Sequence, residues 1–279
     1  MSTPKRIERI VLLNLDSFAS GAGVQKILRA LHGKIVLVCS SQRFGGKYGS
    51  FFRQFRKNLS RSGFLFVIYQ GLNLSFYYFL AHCARFLRRL GIPWHLFSLY
   101  DMAREYNIPF IEVKEINTPQ VINRIKENNP DLVISFYFDH KIGRDIIQIP
   151  SYGILNTHTA LLPKCRGPFP IMCSFMRNIS GAITIHAVDE TLDTGAIYAQ
   201  VPYDLDSKYD ILFHDRNALS QSADVLLELI AKMEYGDVIA LTQESEGFYV
   251  SFPTKNDINR LYRCGIKLFS LKRYFREII

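Results

Sequence analysis

The sequence predicts an α/β fold built around a mostly parallel sheet. Five short apolar runs are typical of buried strands, at residues 7–13, 35–39, 110–113, 132–136 and 152–155. Helices are predicted between the later runs, at residues 98–106, 119–128 and 144–147, where the apolar residues recur at helical spacing. This alternation favours parallel strands, because parallel neighbours need a crossover connection that is usually a helix.

The first connection contains the glycine-rich run Gly21-Ala22-Gly23, at the start of a helix predicted to continue to Leu31. It matches only part of a dinucleotide-binding turn, because the third glycine is missing and the next acidic residue is Asp101. The glycines instead indicate a tight turn with helix capping.

The alternation stops over residues 43–100, where the pattern predicts two helices, at 48–59 and 65–90. This segment looks like an insertion. Residues 17–100 contain 12 Lys or Arg and no Asp or Glu, whereas the rest of the chain has 22 basic and 25 acidic residues. The net charge of +9 therefore comes from this part of the chain.

Residues 62–84 are rich in Phe, Leu and Tyr and contain no Lys, Arg, Asp or Glu. Basic residues flank this run on both sides: Arg53, Arg56, Lys57, Arg61, Arg85, Arg88 and Arg89. Because Gln70, Asn73 and His82 interrupt it, we favour a helix or helical hairpin at an anionic membrane surface over a membrane span. A helix packed in the core and a dimer interface are the alternatives.

Three polar side chains form a candidate acyl-transfer site. Asn156 and His158 follow the apolar run 152–155 and, two residues apart, point to the same side. The next predicted strand, 182–188, is expected to return the chain to the same end of the sheet, where the loop after it presents Asp193. An amide stabilises an oxyanion, an imidazole takes a proton and a carboxylate orients the imidazole.

The chain between these residues predicts a substrate loop. Leu161-Leu162-Pro163 turns the chain away from the strand, and Arg166-Gly167-Pro168 is expected to begin a helix. We assign Lys164, Arg166 and Gly167 to the substrate loop.

Several short motifs in this order resemble the folate-dependent formyltransferases: Asn156-Thr157-His158, Leu161-Leu162-Pro163, Arg166-Gly167-Pro168-Phe169-Pro170, Gly181-Ala182-Ile183-Thr184-Ile185-His186 and Leu192-Asp193-Thr194-Gly195. That family includes glycinamide ribonucleotide formyltransferase, methionyl-tRNA formyltransferase and the sugar N-formyltransferases. The resemblance covers residues 105–205. The chain departs from the family at Thr159-Ala160, where Pro-Ser is common.

The resemblance implies a Rossmann-like three-layer fold, with the helical insertion and a small C-terminal α+β appendage. Residues 1–203 would be the catalytic domain and 204–279 the appendage, with a long helix at 211–233, two short strands at 238–242 and 247–252, and a basic helical tail. Asn156, His158 and Asp193 would be catalytic, and 10-formyltetrahydrofolate would be the donor. The pterin pocket would be lined by Phe138, Asp139, His140, Asp189, Glu190 and Thr191.

The acceptor implied by the resemblance is a primary amine, foremost an amino sugar on a nucleotide or lipid carrier in cell-surface glycan biosynthesis. Methionyl-tRNA is an alternative, disfavoured because only 79 residues follow Gln200, too few for the C-terminal domain of those enzymes. A non-catalytic, membrane-associated binding protein is another alternative.

The five cysteines show no paired spacing, which predicts neither a disulfide framework nor a metal site. The protein is therefore expected in the cytoplasm, and a location at the inner face of the membrane is an alternative.

Overall fold

The fold is a seven-stranded sheet with helices on both faces, described by a computed structural model over residues 6–42, 50–236, 238–243 and 247–278. The strands are β1 (Ile10–Asn14), β2 (Ile35–Ser41), β3 (Phe110–Val113), β4 (Leu132–Phe136), β5 (Ile154–His158), β6 (Ala182–Ala187) and β7 (Ile197–Pro202). Their order across the sheet is β3-β2-β1-β4-β5-β6-β7. The first five run parallel, whereas β6 pairs antiparallel with both β5 and β7. The mostly parallel α/β fold is thus confirmed.

Helices form the outer two layers. They are α1 (Phe18–Leu31), α2 (Phe51–Ser62), α3 (Phe64–Gln70), α4 (Tyr77–Arg89), α5 (Leu99–Glu105), α6 (Pro119–Glu127), α7 (Arg144–Ile147), α8 (Pro170–Arg177), α9 (Ile211–Glu234), α10 (Lys255–Arg263) and α11 (Leu271–Ile278). Alternate strand residues face opposite sides. Along β1, Ile10 and Leu12 pack with α1, α5 and α9, while Val11 and Leu13 pack with α6 and α7. The sheet therefore separates two hydrophobic cores.

Helix α1 begins earlier than the glycines suggested. Ser17 caps it by accepting a hydrogen bond from the Ser20 backbone N–H, so Gly21 and Gly23 lie inside the helix. A Cβ at Gly23 would come within 2.7 Å of the Leu219 carbonyl oxygen on α9. The prediction of a glycine turn is therefore wrong. Gly23 instead allows α1 and α9 to approach closely. Residue propensities within one segment do not reveal such a contact between two helices.

Between β2 and β3 the chain forms helices, as predicted, although residues 43–49 lie outside the described part. Helix α2 begins at Phe51, and α3, a π-helical turn (Gly71–Phe76) and α4 form one continuous helix, Phe64–Arg89, here called the aromatic helix. Its buried side packs into the core. On that side the Tyr69 hydroxyl donates to the Asp215 carboxylate at 2.5 Å, and burial raises the pKa of Asp215 to about 7.

The arginines at the end of the aromatic helix have unequal surroundings. Arg85 Nε contacts Asp101 Oδ1 at 2.5 Å, and an Arg88 Nη lies 3.1 Å from Asp101 Oδ2. Arg88 also donates to the carbonyl oxygens of Trp94 and Leu96. Only Arg89 of the three is exposed. Arg85 and Arg88 thus hold the chain that leads to α5, although their sequence position suggested surface charges.

The C-terminal segment joins the core on the α1 side of the sheet. Helix α9 agrees with the helix predicted at 211–233, and side chains of α10 and α11 pack in the same core. The two short strands expected after α9 are not formed among the described residues. Leu241 and Tyr249 make single bridges, with Ile197 and Arg166 respectively. The domain boundary after residue 203 stays a prediction.

Candidate active site

Three polar side chains lie on one face of the sheet where β5 meets β6. Asn156 and His158 are two residues apart in β5, and His186 is the antiparallel partner of Asn156 in β6. Directly opposed residues share a face, so the His186 ring stands beside the Asn156 amide. The side-by-side arrangement predicted for Asn156 and His158 is confirmed, although both lie within the strand rather than after it.

His186 holds Asn156 as a hydrogen-bond donor. Burial and the neighbouring His158 lower the pKa of His186 to about 4, so its ring is neutral near pH 7. Nδ1 is 2.7 Å from the Ala187 carbonyl oxygen and must carry the ring proton, because a carbonyl only accepts. Nε2 then accepts from Asn156 Nδ2 at 3.0 Å. The Ser135 hydroxyl donates to Asn156 Oδ1 at 2.9 Å, which leaves one amide N–H for a ligand.

The same reasoning assigns the protons of His158. Its Nε2 lies 2.6 Å from the Cys165 carbonyl oxygen and therefore carries a hydrogen. Nδ1 faces Asp193, with 3.9 Å between Nδ1 and Oδ1. In the neutral ring, Nδ1 has a lone pair and is the atom that takes up a proton.

Asp193 reaches the two histidines from the loop between β6 and β7. Its Oδ1 is 3.9 Å from His158 Nδ1 and 3.8 Å from His186 Nε2, while Oδ2 accepts from the Gly167 N–H at 2.8 Å. These separations are too long for hydrogen bonds to the rings but close enough for electrostatic stabilisation of an imidazolium.

The route of this loop differs from the expectation. Because β6 runs antiparallel to β5, it leads away from the carboxyl end of β5 rather than back to it. The loop folds over the sheet instead, with the Ala187 N–H donating to the Ala196 carbonyl oxygen. Asp193 itself has a φ of +57°. The carboxylate arrives at the predicted place by a different path.

Asp189 organises this loop through its own side chain. Its carboxylate accepts from the Thr191 N–H at 2.9 Å and from the Thr194 hydroxyl at 2.7 Å. Glu190 is exposed and lies 3.5 Å from Arg144 Nε. Of the three residues predicted here for the pterin pocket, Asp189 thus shapes the loop, while Glu190 and Thr191 lie at the surface.

The other pterin residues follow β4. His140 is buried, and its Nδ1 accepts from the Ile116 N–H at 3.2 Å while Nε2 lies 2.9 Å from the Ser41 hydroxyl. His140 therefore ties the loop after β4 to β2. Phe138 and Asp139 are partly exposed beside it, with the Phe138 and His140 rings 4.9 Å apart. A direct contact with folate remains a prediction for these three residues and for Asp189, Glu190 and Thr191.

The substrate loop is held by the C-terminal segment. The Arg166 N–H donates to the Phe248 carbonyl oxygen, and the Val250 N–H donates to that of Arg166. An Arg166 Nη also donates to Gln243 Oε1 at 3.0 Å. Arg166 therefore forms a single bridge and Gly167 lies in a bend with a φ of +121°. Helix α8 begins only at Pro170, so the helix start predicted at Arg166 is wrong. Lys164 is exposed.

A disulfide joins Cys165 to Cys173 on α8, with a Cα–Cα distance of 5.9 Å. The prediction that the cysteines form no disulfide is thus wrong for this pair. Eight residues separate the two cysteines, and the loop that brings them together is not evident from their spacing. Among the described residues, no group of three or more His, Cys, Asp or Glu side chains is arranged to hold a metal ion.

His186 and Gln243 were not among the predicted site residues. Gln243 Nε2 donates to the carbonyl oxygens of Asp193 and Gly195, at 3.1 and 2.7 Å, and so joins the Asp193 loop to Arg166. His186 was visible as part of a motif, but its pairing with Asn156 depends on strand register. The completed site presents an oriented amide N–H, a basic imidazole nitrogen and a carboxylate, the set that acyl transfer to an amine requires.

Replacing Gly195 by alanine is expected to displace the Asp193 loop. The added Cβ would lie 2.0 Å from the Ala187 carbonyl oxygen, so the backbone must move. We expect a loss of about 1–3 kcal/mol in the free energy of unfolding, measured by denaturant titration. Gly33→Ala is the control, because its Cβ would meet no atom within 4 Å. Equal stability of the two variants would contradict this account.

The comparison with sequence families agrees with this geometry. The formyl transferase family matches residues 83–226, just over half of the chain. A methionyl-tRNA formyltransferase from Syntrophomonas wolfei subsp. wolfei is 30% identical over 160 residues, which are 56% of this chain and 51% of that protein. The chain spans about half the length of the curated relatives that it matches.

Solved structures extend the similarity to nearly the whole chain. The structure of WlaRD, a sugar 3N-formyl transferase, in the presence of dTDP and 5-N-formyl-THF, is 17% identical, with a TM-score of 0.59 over 97% of this chain and 82% of that one. Glycinamide ribonucleotide transformylase 1 from Symbiobacterium toebii is 16% identical, with a TM-score of 0.57 over 86% and 95%. At these identities, the structural matches show a shared fold. The family match over more than half of the sequence shows that the chain belongs to the formyl transferase family.

Proposed function

We propose that the protein transfers a formyl group from 10-formyltetrahydrofolate to a primary amine. The observation that carries this proposal is the cluster of Asn156, His158 and Asp193: Asn156 bonds the His186 ring, and Asp193 Oδ1 lies within 4 Å of both histidine rings. The folate supplies a formyl group whose carbonyl carbon accepts the amine nitrogen. WlaRD, with the same fold, is described with a formyl folate, which supports this donor.

Each residue then has a defined task. The Asn156 N–H donates to the formyl oxygen as negative charge develops there, an interaction that strengthens during the reaction. His158 Nδ1 takes the proton released by the attacking nitrogen and returns it to the departing folate nitrogen. Asp193 stabilises the imidazolium formed between these two transfers. A carbon–nitrogen bond to the acceptor forms, the one to the folate breaks, and no oxidant is needed.

We propose an amino sugar on a nucleotide or lipid carrier as the acceptor, in cell-surface glycan biosynthesis. The similarity to a sugar 3N-formyl transferase over 97% of the chain supports this choice. Methionyl-tRNA is the second candidate, because the relative with 30% identity acts on it by name. The match to that relative covers 51% of its length.

The test is a screen with 10-formyltetrahydrofolate and three acceptor classes: nucleotide amino sugars, lipid-linked amino sugars and methionyl-tRNA. Formation of the N-formyl product is followed by mass spectrometry. We expect transfer to an amino sugar, and transfer slower by about 100-fold or more in the Asn156→Ala variant. Binding of 5-formyltetrahydrofolate without transfer to any acceptor would favour the alternative of a non-catalytic binding protein.

A further inference from the structure

The outward side of the helices between β2 and β3 carries large apolar side chains. On the aromatic helix, Phe64, Leu65, Tyr78, Phe79 and Phe86 are exposed, and Ile68, Phe76 and Cys83 are partly exposed. Phe64 and Phe86 are 63% and 60% exposed. On α2, Phe52 is 75% exposed. Exposure of so many aromatic residues along neighbouring helices is typical of an interaction surface.

The opposite side of the aromatic helix is fixed to the protein. Phe66, Tyr69 and Tyr77 are buried in the core, and Asn73 Oδ1 accepts from the Ala19 N–H at 2.9 Å. The helix, Phe64–Arg89, is long and apolar enough to cross a bilayer, but 44% of its apolar window is buried within the protein. A helix packed in this way contributes one face to a membrane and does not span it.

The charges beside this surface are mostly positive, and the exposed Glu277 of α11 lies 3.5 Å from Arg216 Nε. Residues 17–100 contain no Asp or Glu, and Arg53, Arg56 and Lys57 are exposed on α2 together with Phe52 and Phe55. Helix α11, which packs on Phe76 through Tyr274 and Phe275, adds exposed Lys272 and Arg276. Aromatic side chains next to exposed Lys and Arg match the two layers of an anionic bilayer surface, acyl chains and charged headgroups.

We propose that α2 and the outward face of the aromatic helix dock on an anionic lipid bilayer, with the helices lying in the interface. Phe52, Phe64 and the neighbouring apolar side chains enter the acyl boundary. Arg53, Arg56 and Lys57 contact headgroup phosphates. This docking does not depend on the reaction, and it brings the catalytic domain to the surface where lipid carriers reside.

Flotation of the purified full chain with vesicles tests the proposal. We expect binding to phosphatidylcholine vesicles that contain phosphatidylglycerol, weaker binding to phosphatidylcholine alone, and release by high salt. The Arg53→Gln/Arg56→Gln/Lys57→Gln variant should bind roughly 100-fold more weakly, at about fivefold per charge. The Phe52→Glu/Phe64→Glu variant should lose a similar or larger factor, because both side chains leave the acyl region.

Matched controls separate docking from general effects. Ile239→Glu removes an apolar side chain that is 83% exposed elsewhere, and Lys114→Gln/Lys126→Gln/Lys232→Gln removes three exposed charges outside the segment. Both controls should float like the original chain. Thermal unfolding shows that each variant is folded, and vesicle binding needs no formyl donor, so the result is independent of the proposed activity.

Three results would overturn the proposal. In the first, the chain stays unbound at low salt with anionic vesicles. In the second, the chain binds, but the Arg53→Gln/Arg56→Gln/Lys57→Gln and Phe52→Glu/Phe64→Glu variants bind equally well. Alternatively, sedimentation velocity shows a dimer that Phe52→Glu/Phe64→Glu dissociates while vesicles bind neither form. That last result would assign the same face to self-association.

Discussion

Replacing His158 by alanine, or Asn156 by alanine, is expected to lower kcat about 100-fold or more while folate binding persists. The first change removes the imidazole nitrogen that accepts the amine proton, and the second removes the amide N–H that His186 orients. The measurements are kcat with the acceptor found by the screen and the Kd of 5-formyltetrahydrofolate.

The controls are His32→Ala and Asn123→Ala, which change exposed residues outside the site. Both should keep kcat within about twofold, as expected for surface substitutions with little structural effect. If His158→Ala and Asn156→Ala also turn over at nearly the original rate, the chemistry takes place elsewhere and the assignment of this site fails.

Replacing Asp193 by asparagine is expected to keep the fold and lower kcat by about 100-fold or more. The asparagine side-chain oxygen still accepts from the Gly167 N–H, so the loop remains in place. The negative charge within 4 Å of both histidine rings is lost, and with it the stabilisation of a protonated His158. The measurements are the pH dependence of kcat and the midpoint of thermal unfolding.

Asp204→Asn removes an exposed carboxylate that follows β7 and serves as the control. An unchanged kcat and an unchanged pH–rate profile in Asp193→Asn would show that the carboxylate takes no part in the reaction. A large fall in the unfolding midpoint would instead assign Asp193 to holding the loop.

The central strands could be predicted from sequence because strands buried on both faces are continuous apolar runs. The edge strand β7 is half exposed, so its residues carry a weaker signal, and it was not predicted. The strands expected near residues 238–252 reduce to single bridges, since Leu241 and Tyr249 each pair with one distant residue. Local pattern cannot reveal such isolated pairs.

The site shows the same division between local and distant information. Alternation within one strand was enough to place Asn156 beside His158. The partnership of Asn156 with His186 depends on the register between β5 and β6, and that of Cys165 with Cys173 on the path of the substrate loop. Both relations link separate elements. The family resemblance pointed to the correct fold but not to these contacts.

Asn73 connects the outward helix face to the interior. It accepts from the Ala19 N–H at the start of α1 and donates to the Tyr137 hydroxyl after β4. These two hydrogen bonds join the helix that bears the apolar face to α1 and to the loop after β4. Docking as proposed would place the trio at the membrane surface. A lipid-linked acceptor then reaches it by two-dimensional diffusion, and turnover on vesicles depends on the acceptor's surface density rather than its bulk concentration.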